Sequence, residues 1–276
     1  MQALDERENV LLGVSVAVIE GLLLQPTLYW KNARAQGLPL TLSPRILYRG
    51  IGASLTNEAG QMSIQFGVTG LLKALIQDGS GGTDVSSQWL SIGAAAGGGM
   101  VAAVFATPVE LVMIQQQRFG GGVAATPLRV MRRFGPGSAG LFRGLGPAVS
   151  RDAVYVGGML GVTPMVQEQL ERKHGQSSEV ASLIASAVGG VAGGMLSHPF
   201  DTIKTCMQGD IERKMYGGFA STVRALVAEG GYSRLMHGAM WRTINITATV
   251  YIANECCNRL PQFITRLSRG DDRDRT

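Results

Sequence analysis

Charge is scarce in this chain of 276 residues: Asp, Glu, Lys and Arg make up 16% of it, against about a quarter in a typical soluble domain. Cysteine is scarce too. Cys206, Cys256 and Cys257 are the three, two of them adjacent, and they neither build a disulfide scaffold nor show metal-ligand spacing. The three histidines stand apart at 174, 198 and 237, so no metal site is expected and no cofactor is implied. An enzyme has no support either. No nucleophile–base pair is visible, and Gly144-Leu-Gly146 is too short a glycine motif to carry meaning. The hydrophobic content of 45% excludes disorder, and the 38 glycines follow no Gly-X-Y period, which excludes a collagen-like fibre. A net charge of +5 invites a nucleic-acid reading, which depends on where the basic residues lie.

What the chain has is long uncharged runs, with a mean hydropathy of +0.14. Val85–Val109 and Val180–Phe200 contain no Asp, Glu, Lys or Arg, and about 20 apolar residues suffice for a helix to cross a bilayer. Asn9–Pro26 is interrupted only by Glu20 and Gln25. Ala59–Leu72, Ala153–Gln167 and Thr243–Asn254 are shorter and hold polar residues, so they span only if one face meets water or protein. Six spans, alternating strongly and weakly apolar, are expected, with a soluble all-helical core as the bland alternative. Glycines recur four apart at Gly93/Gly97, Gly157/Gly161, Gly189/Gly193 and Gly190/Gly194, spacing that lets helices approach closely in lipid or that arises by chance in a Gly-rich chain. Gly97–Gly99 and Phe105 read as packing. Met1–Asn9 is mixed in charge and does not resemble a cleavable presequence.

The chain repeats itself three times. A proline is followed by charged or substituted positions in Pro26-Thr-Leu28-Tyr-Trp-Lys31, Pro108-Val-Glu110-Leu-Val-Met113 and Pro199-Phe-Asp201-Thr-Ile-Lys204. Further on come Tyr48-Arg49-Gly50, Phe142-Arg143-Gly144 and Met236-His237-Gly238, whose glycines are spaced by 94 residues and again by 94. Units of this size cannot each bury a polar face alone, so three two-helix units are expected to close around a shared axis. These motifs resemble the signature of the mitochondrial carrier family, Pro-x-[Asp/Glu]-x-x-[Lys/Arg] followed by aromatic-basic-Gly, over essentially the whole chain. The resemblance implies an all-α membrane protein: six transmembrane helices in three two-helix repeats (1–85, 86–178 and 179–276) with pseudo-threefold symmetry. It also implies the inner mitochondrial membrane, both termini on the cytosolic side, and a monomer.

Basic residues fit that picture. The inferred matrix segments 28–50, 110–144 and 201–238 hold 14 of the 25 Lys and Arg, whereas the opposite connections 73–85 and 168–179 hold three bases and five acids. Bases that edge a membrane argue against a nucleic-acid partner. Gly50, Gly144 and Gly238, beginning the even helices beside basic residues, either bind cardiolipin phosphates or simply permit the turn.

The family's prolines kink the odd helices, here Pro26, Pro108 and Pro199, and acid and base of successive repeats close the matrix gate. Carried over, the pairs are Glu110–Lys204, Asp201–Lys31 and Leu28–Met113. The last has lost both charges at partner positions, so two ion pairs and one apolar contact are expected, because a lone buried charge costs far more than an apolar replacement of both. Gln117 and Gln208 match the family's glutamine braces; repeat 1 has Ala35 there and Gln36 one place on. The cytosolic gate is poor. Gly70 and Lys73, then Pro164 and Gln167, occupy its positions, and Glu255 with Arg259 is the nearest third match, so the state open to the cytosol is expected to be favoured.

Seven residues beyond each repeat glycine, the level the family uses for substrate, stand Asn57, Arg151 and Asn245, followed by Glu58, Asp152 and Ile246. Arg151 offers a planar fork for a carboxylate, while Asp152 and Glu58 accept an ammonium or pair with Arg151. Arg followed by an acid resembles the amino-acid carriers. Glu20, six residues before Pro26, resembles the first helix of the citrate carrier. Arg242 breaks the threefold pattern, as an asymmetric substrate requires. The bland alternative makes Arg151–Asp152 or Arg242–Glu58 structural ion pairs, and Trp241 and Tyr155 packing residues. Two function classes follow: an exchanger of small carboxylate metabolites, amino acids ahead of citrate-like acids, or a carrier-fold adaptor that no longer transports.

Overall fold

The computed structural model describes residues 6–79 and 88–273. In chain order these form α1 (Glu6–Ala35), α2 (Pro44–Leu47), α3 (Ile51–Gly79), α4 (Gln88–Phe119), α5 (Ala125–Phe134), α6 (Leu145–His174), α7 (Ser178–Gly209), α8 (Phe219–Gly230), a 3-10 turn at Tyr232–Met236, and α9 (Ala239–Arg273). No strand occurs among the described residues. Six of the helices are long, at 29 to 35 residues each, and so about 44–53 Å from end to end. They pack in a closed circuit: α1 on α3, α3 on α4, α4 on α6, α6 on α7, α7 on α9, and α9 back on α1.

Each short helix seats on the end of the long helix before it. Leu47 of α2 joins Tyr29 and Ala33 of α1; Val130 of α5 joins Leu111 of α4 and Ile211; Leu226 of α8 joins Ile203, Cys206 and Met207 of α7 with Tyr216. The three seats are alike because each follows a helix that carries an internal proline, Pro26, Pro108 or Pro199. A proline removes the amide that would bond the carbonyl four residues back. For Pro26 that carbonyl is Leu22, and the Tyr48 hydroxyl donates to it at 2.9 Å.

The burial pattern is inverted relative to a water-soluble protein. Asp201, Lys204, Glu110, Arg151 and Asp152 are buried, while Val14, Leu23, Leu71, Met165, Leu196 and Tyr251 point outward with more than half their surface exposed. Charges inside an apolar exterior suit a chain whose solvent is lipid. By length and composition, Gly93–Phe119 and Ser178–Gly209 are the two segments among the described residues apolar enough to cross a membrane.

Gly50, Gly144 and Gly238 take φ values of 80°, 82° and 95°, left-handed conformations that glycine adopts without strain. A methyl group there would press on Met113, Lys204 or the Lys31 carbonyl respectively, so α3 begins against α4, α6 against α7 and α9 against α1. The glycine spacing needs correction in part. Gly189, Gly190, Gly193 and Gly194 do abut neighbouring helices, but Gly93, Gly157 and Gly161 face open space. The closest approaches instead use Gly158, against Gly193, and Gly98, against Gln65 and Thr69. Spacing fixes a face of a helix, but the partner decides whether that face is covered.

Candidate functional site

The three proline segments bring their charges to one buried cluster. Asp201 and Lys204 lie three residues apart on α7 and so share a face. Lys31 Nζ of α1 lies 2.8 Å from Asp201 Oδ2, and Lys204 Nζ lies 3.0 Å from Glu110 Oε2 of α4 and 3.2 Å from Asp201 Oδ1. Leu28 packs against the apolar cluster that contains Met113, together with Ala53, Val112 and Ile114. The two acid–base pairs named from the sequence are therefore present as contacts, and Leu28 and Met113 belong to one apolar cluster.

Two further cations enter the same cluster, the arginines expected either to meet substrate or to form structural ion pairs. Arg151 of α6 places Nη1 2.7 Å from Glu110 Oε1 and 3.5 Å from Asp201 Oδ1, and its Nε 2.6 Å from Asp152 Oδ1. Arg242 of α9 reaches Asp201 Oδ2 at 3.4 Å, donates to Ser197 Oγ at 2.9 Å, and lies over the Tyr155 ring at 5.7 Å. Arg242 thus pairs with Asp201 rather than with Glu58, and Arg151 pairs with Asp152 and Glu110 rather than with Glu58. Four cations (Lys31, Lys204, Arg151, Arg242) face three carboxylates (Asp201, Glu110, Asp152), which leaves one positive charge in excess. Asp201 is the hub, with all four cations within 4 Å.

The other expected contact residues tie helices together. Asn57 donates to Gln61 at 3.4 Å, and Gln61 donates to Asp152 Oδ2 at 3.1 Å, linking α3 to α6. Asn245 Nδ2 donates to Thr27 Oγ1 at 2.9 Å, linking α9 to α1. Gln61, Ser197 and Thr27 were missed from the sequence because short polar side chains in helices carry no distinguishing pattern. Glu20 and Glu58 stand apart from the cluster and line a small cavity with Gln25, Asn245 and Thr249. Trp241 stacks at a tilt on Trp30, centroids 4.5 Å apart, which makes it a packing residue.

The glutamines expected to brace ion pairs bond elsewhere. Gln117 Oε1 accepts from Asn32 at 2.8 Å, and Gln208 Nε2 donates to the carbonyls of Thr107 (3.3 Å) and Arg143 (3.2 Å). Ala35 offers its carbonyl to Arg234 and Cys206, and Gln36 accepts from Arg118. Both glutamines still join neighbouring odd helices, or an odd helix to the turn at Arg143, one turn beyond the charge cluster. Near the opposite ends of α6 and α9 the ion pairs among the described residues stay within one helix: Arg172–Glu168 and Arg259–Glu255. Gln167 likewise bonds Glu171 on its own helix.

Outside the spans, Arg143 threads beneath the Asp210–Tyr216 loop and donates to the carbonyls of Met207, Asp210 and Tyr216. Burial draws its pKa down to about 10, still well charged at neutral pH. Burial would raise the Asp210 carboxyl, but the amides of Tyr216, Met215 and Lys214 outweigh it and hold the group below its ordinary range.

Comparison with known proteins gives a consistent set of relatives. Residues 175–260 match the family described as mitochondrial carrier protein. The chain is 30% identical to the mitochondrial arginine transporter BAC2 of Arabidopsis thaliana, an alignment covering 78% of this chain and 74% of that one. It is 28% identical to the mitochondrial 2-oxodicarboxylate carrier 2 of Saccharomyces cerevisiae, over 70% of this chain and 64% of the yeast protein. It is 26% identical to the mitochondrial tricarboxylate transporter 1 of Mycosarcoma maydis, over 72% of this chain and 67% of that protein.

Proposed function

The chain belongs to the mitochondrial carrier family, whose place is the inner mitochondrial membrane, and we propose that it exchanges small carboxylate metabolites, amino acids first, by alternating access. In this reading the six long helices are the membrane spans, arranged in three repeats, and the protein works as a monomer. The observation that carries the proposal is the cluster around Asp201, with its one uncompensated positive charge. A substrate carboxylate entering beside Arg151 and Arg242 satisfies that charge and competes with Glu110 and Asp201 for the same guanidinium forks. Breaking a buried ion pair by removing one partner costs about 3–5 kcal/mol. A substrate that replaces the partner offsets that cost, so the closure loosens only when the site is filled. Lys31–Asp201, Glu110–Lys204 and the Leu28–Met113 contact then act as the matrix gate.

Weak closure at the other end fits the same reading, because ion pairs within a helix do not hold two helices together. Cardiolipin at Gly50, Gly144 and Gly238 is part of the proposal, resting on exposed basic side chains beside the short helices. A second reading, a dicarboxylate or tricarboxylate carrier, draws on the two arginines that share Asp201 and on the names of the fungal relatives.

The test is exchange uptake by purified protein in liposomes, with labelled glutamate, aspartate, ornithine, citrate, malate and oxoglutarate. Uptake of an amino acid supports the first reading, and uptake confined to citrate or malate moves the assignment to the second. Folded protein that takes up nothing across the panel refutes transport and leaves the adaptor.

A further inference from the structure

Every cation in the central cluster is paired with Asp201, Glu110 or Asp152, yet two carboxylates in the same helical interior are not paired at all. Glu20 on α1 and Glu58 on α3 line one cavity, and among the described residues neither has a Lys, Arg or His within ion-pair distance. Two like charges in a span are expensive to keep without a partner. A second, independent feature marks the same cavity. Gln25 is 1% exposed; its Nε2 donates to the Arg49 carbonyl, while its Oε1 is buried without a partner. Glu20 Oε1 is buried and unpartnered as well. The orphaned atoms are all acceptors. The missing partner is therefore a donor of several hydrogen bonds, and a positively charged donor would satisfy both carboxylates in their ionised form.

Distance along the helices sets its size. Asn245, in the cavity wall, lies three residues from Arg242, and Gln25 lies six from Lys31, which corresponds to about 5–9 Å along the helix axes. A molecule whose carboxylate meets Arg151 and Arg242 thus extends its other end into the cavity when that end sits about four to seven bonds away, and the side-chain nitrogens of ornithine, lysine and arginine fall in that range. We propose that Glu20, Glu58 and Gln25 form a subsite for the cationic side-chain nitrogen of a dibasic amino acid, an ammonium or a guanidinium. The inference rests on the carrier reading above and gives it a substrate class.

Arginine and citrulline separate the two ideas, because they share shape and carboxylate but citrulline's urea is neutral. In liposomes containing the full chain, arginine uptake is expected to exceed citrulline uptake at least tenfold. Glu58→Gln and Glu20→Gln are each expected to reduce arginine uptake about tenfold and to narrow that ratio. Both variants remove an unpaired, half-buried charge, so they are expected to unfold in detergent at or above the wild-type temperature, and arginine is expected to raise that temperature only for the wild type. Equal uptake of arginine and citrulline, or variants that keep the wild-type ratio, would overturn the subsite. So would a Glu58→Gln protein that loses only the pH dependence of glutamate uptake, which would make the pair a proton site. Transport of malate or glutamate but not arginine overturns the subsite and leaves the carrier standing, whereas no transport of anything overturns the carrier.

Discussion

Removing the hub of the charge cluster tests the whole electrostatic account. Asp201→Asn leaves four cations facing two carboxylates, so the excess rises from one positive charge to two. The four cations do not suffer equally. Lys204 and Arg151 retain Glu110, at 3.0 and 2.7 Å, and Arg242 retains the Ser197 hydroxyl, but the only ion pair of Lys31 among the described residues is with Asp201. Lys31 is thus left buried and unpaired, at a cost of about 3–5 kcal/mol. Glu110→Gln removes just as much charge but strands nothing: Lys204 keeps Asp201 at 3.2 Å and Arg151 keeps Asp152 at 2.6 Å. Its cost is expected near 1.5–3 kcal/mol, about the scale of one lost charged hydrogen bond. Adding Lys31→Met to Asp201→Asn removes the stranded charge and is expected to restore most of the loss. The assay is thermal unfolding of the purified variants in detergent at one salt concentration, ranked against the wild type. A Glu110→Gln protein as unstable as Asp201→Asn, or a double variant no better than Asp201→Asn, would refute the argument that stranded charge, and not the number of contacts, sets the cost.

Three further outcomes are expected. Leu28→Glu and Met113→Lys each bury a lone charge and are expected to lower the unfolding temperature, while the double variant recovers most of it by forming the third pair; unfolding of the three proteins checks this. Gly238→Ala forces a side chain into a left-handed conformation and against the Lys31 carbonyl, so a loss of at least about 1–2 kcal/mol is expected by the same measurement, larger than for alanine at Gly157, which faces open space. Because the Asp210 carboxyl is held below its ordinary range, its contribution is present above about pH 4 and is lost as pH falls through the folded value. Protection of the Lys214, Met215 and Tyr216 amides, taken relative to their intrinsic exchange rates, should therefore fall in acid for the wild type and be low at all pH for Asp210→Asn.

The sequence by itself determined the periodic part of this protein. The intervals of 94 residues, the prolines at 26, 108 and 199, and the glycines at 50, 144 and 238 mark equivalent positions three times along the chain. Partners such as Lys31 and Asp201 could be named before any distance was known, because the motifs resemble the carrier signature, which implies that acid and base of successive repeats meet. The loss of charge at Leu28 and Met113 was legible for the same reason. What only the tertiary structure decided is where symmetry is broken. Arg151 and Arg242 sit on even helices, and whether a long side chain reaches inward to Asp201 or stays at its own level depends on how each helix leans against its neighbours. The sequence gives the height of a residue along its helix but not that lean, so it left both roles open for the two arginines, substrate contact or ion pair, and only the structure shows them on Glu110, Asp152 and Asp201. Gln61, Ser197 and Thr27 were invisible for a related reason: a polar side chain in a helix acquires a role only when a partner from a distant segment arrives within about 3 Å. The isolation of Glu20 and Glu58 is likewise a tertiary fact, since it consists in the absence of any cation among the described residues around them, and a linear chain does not display its neighbours.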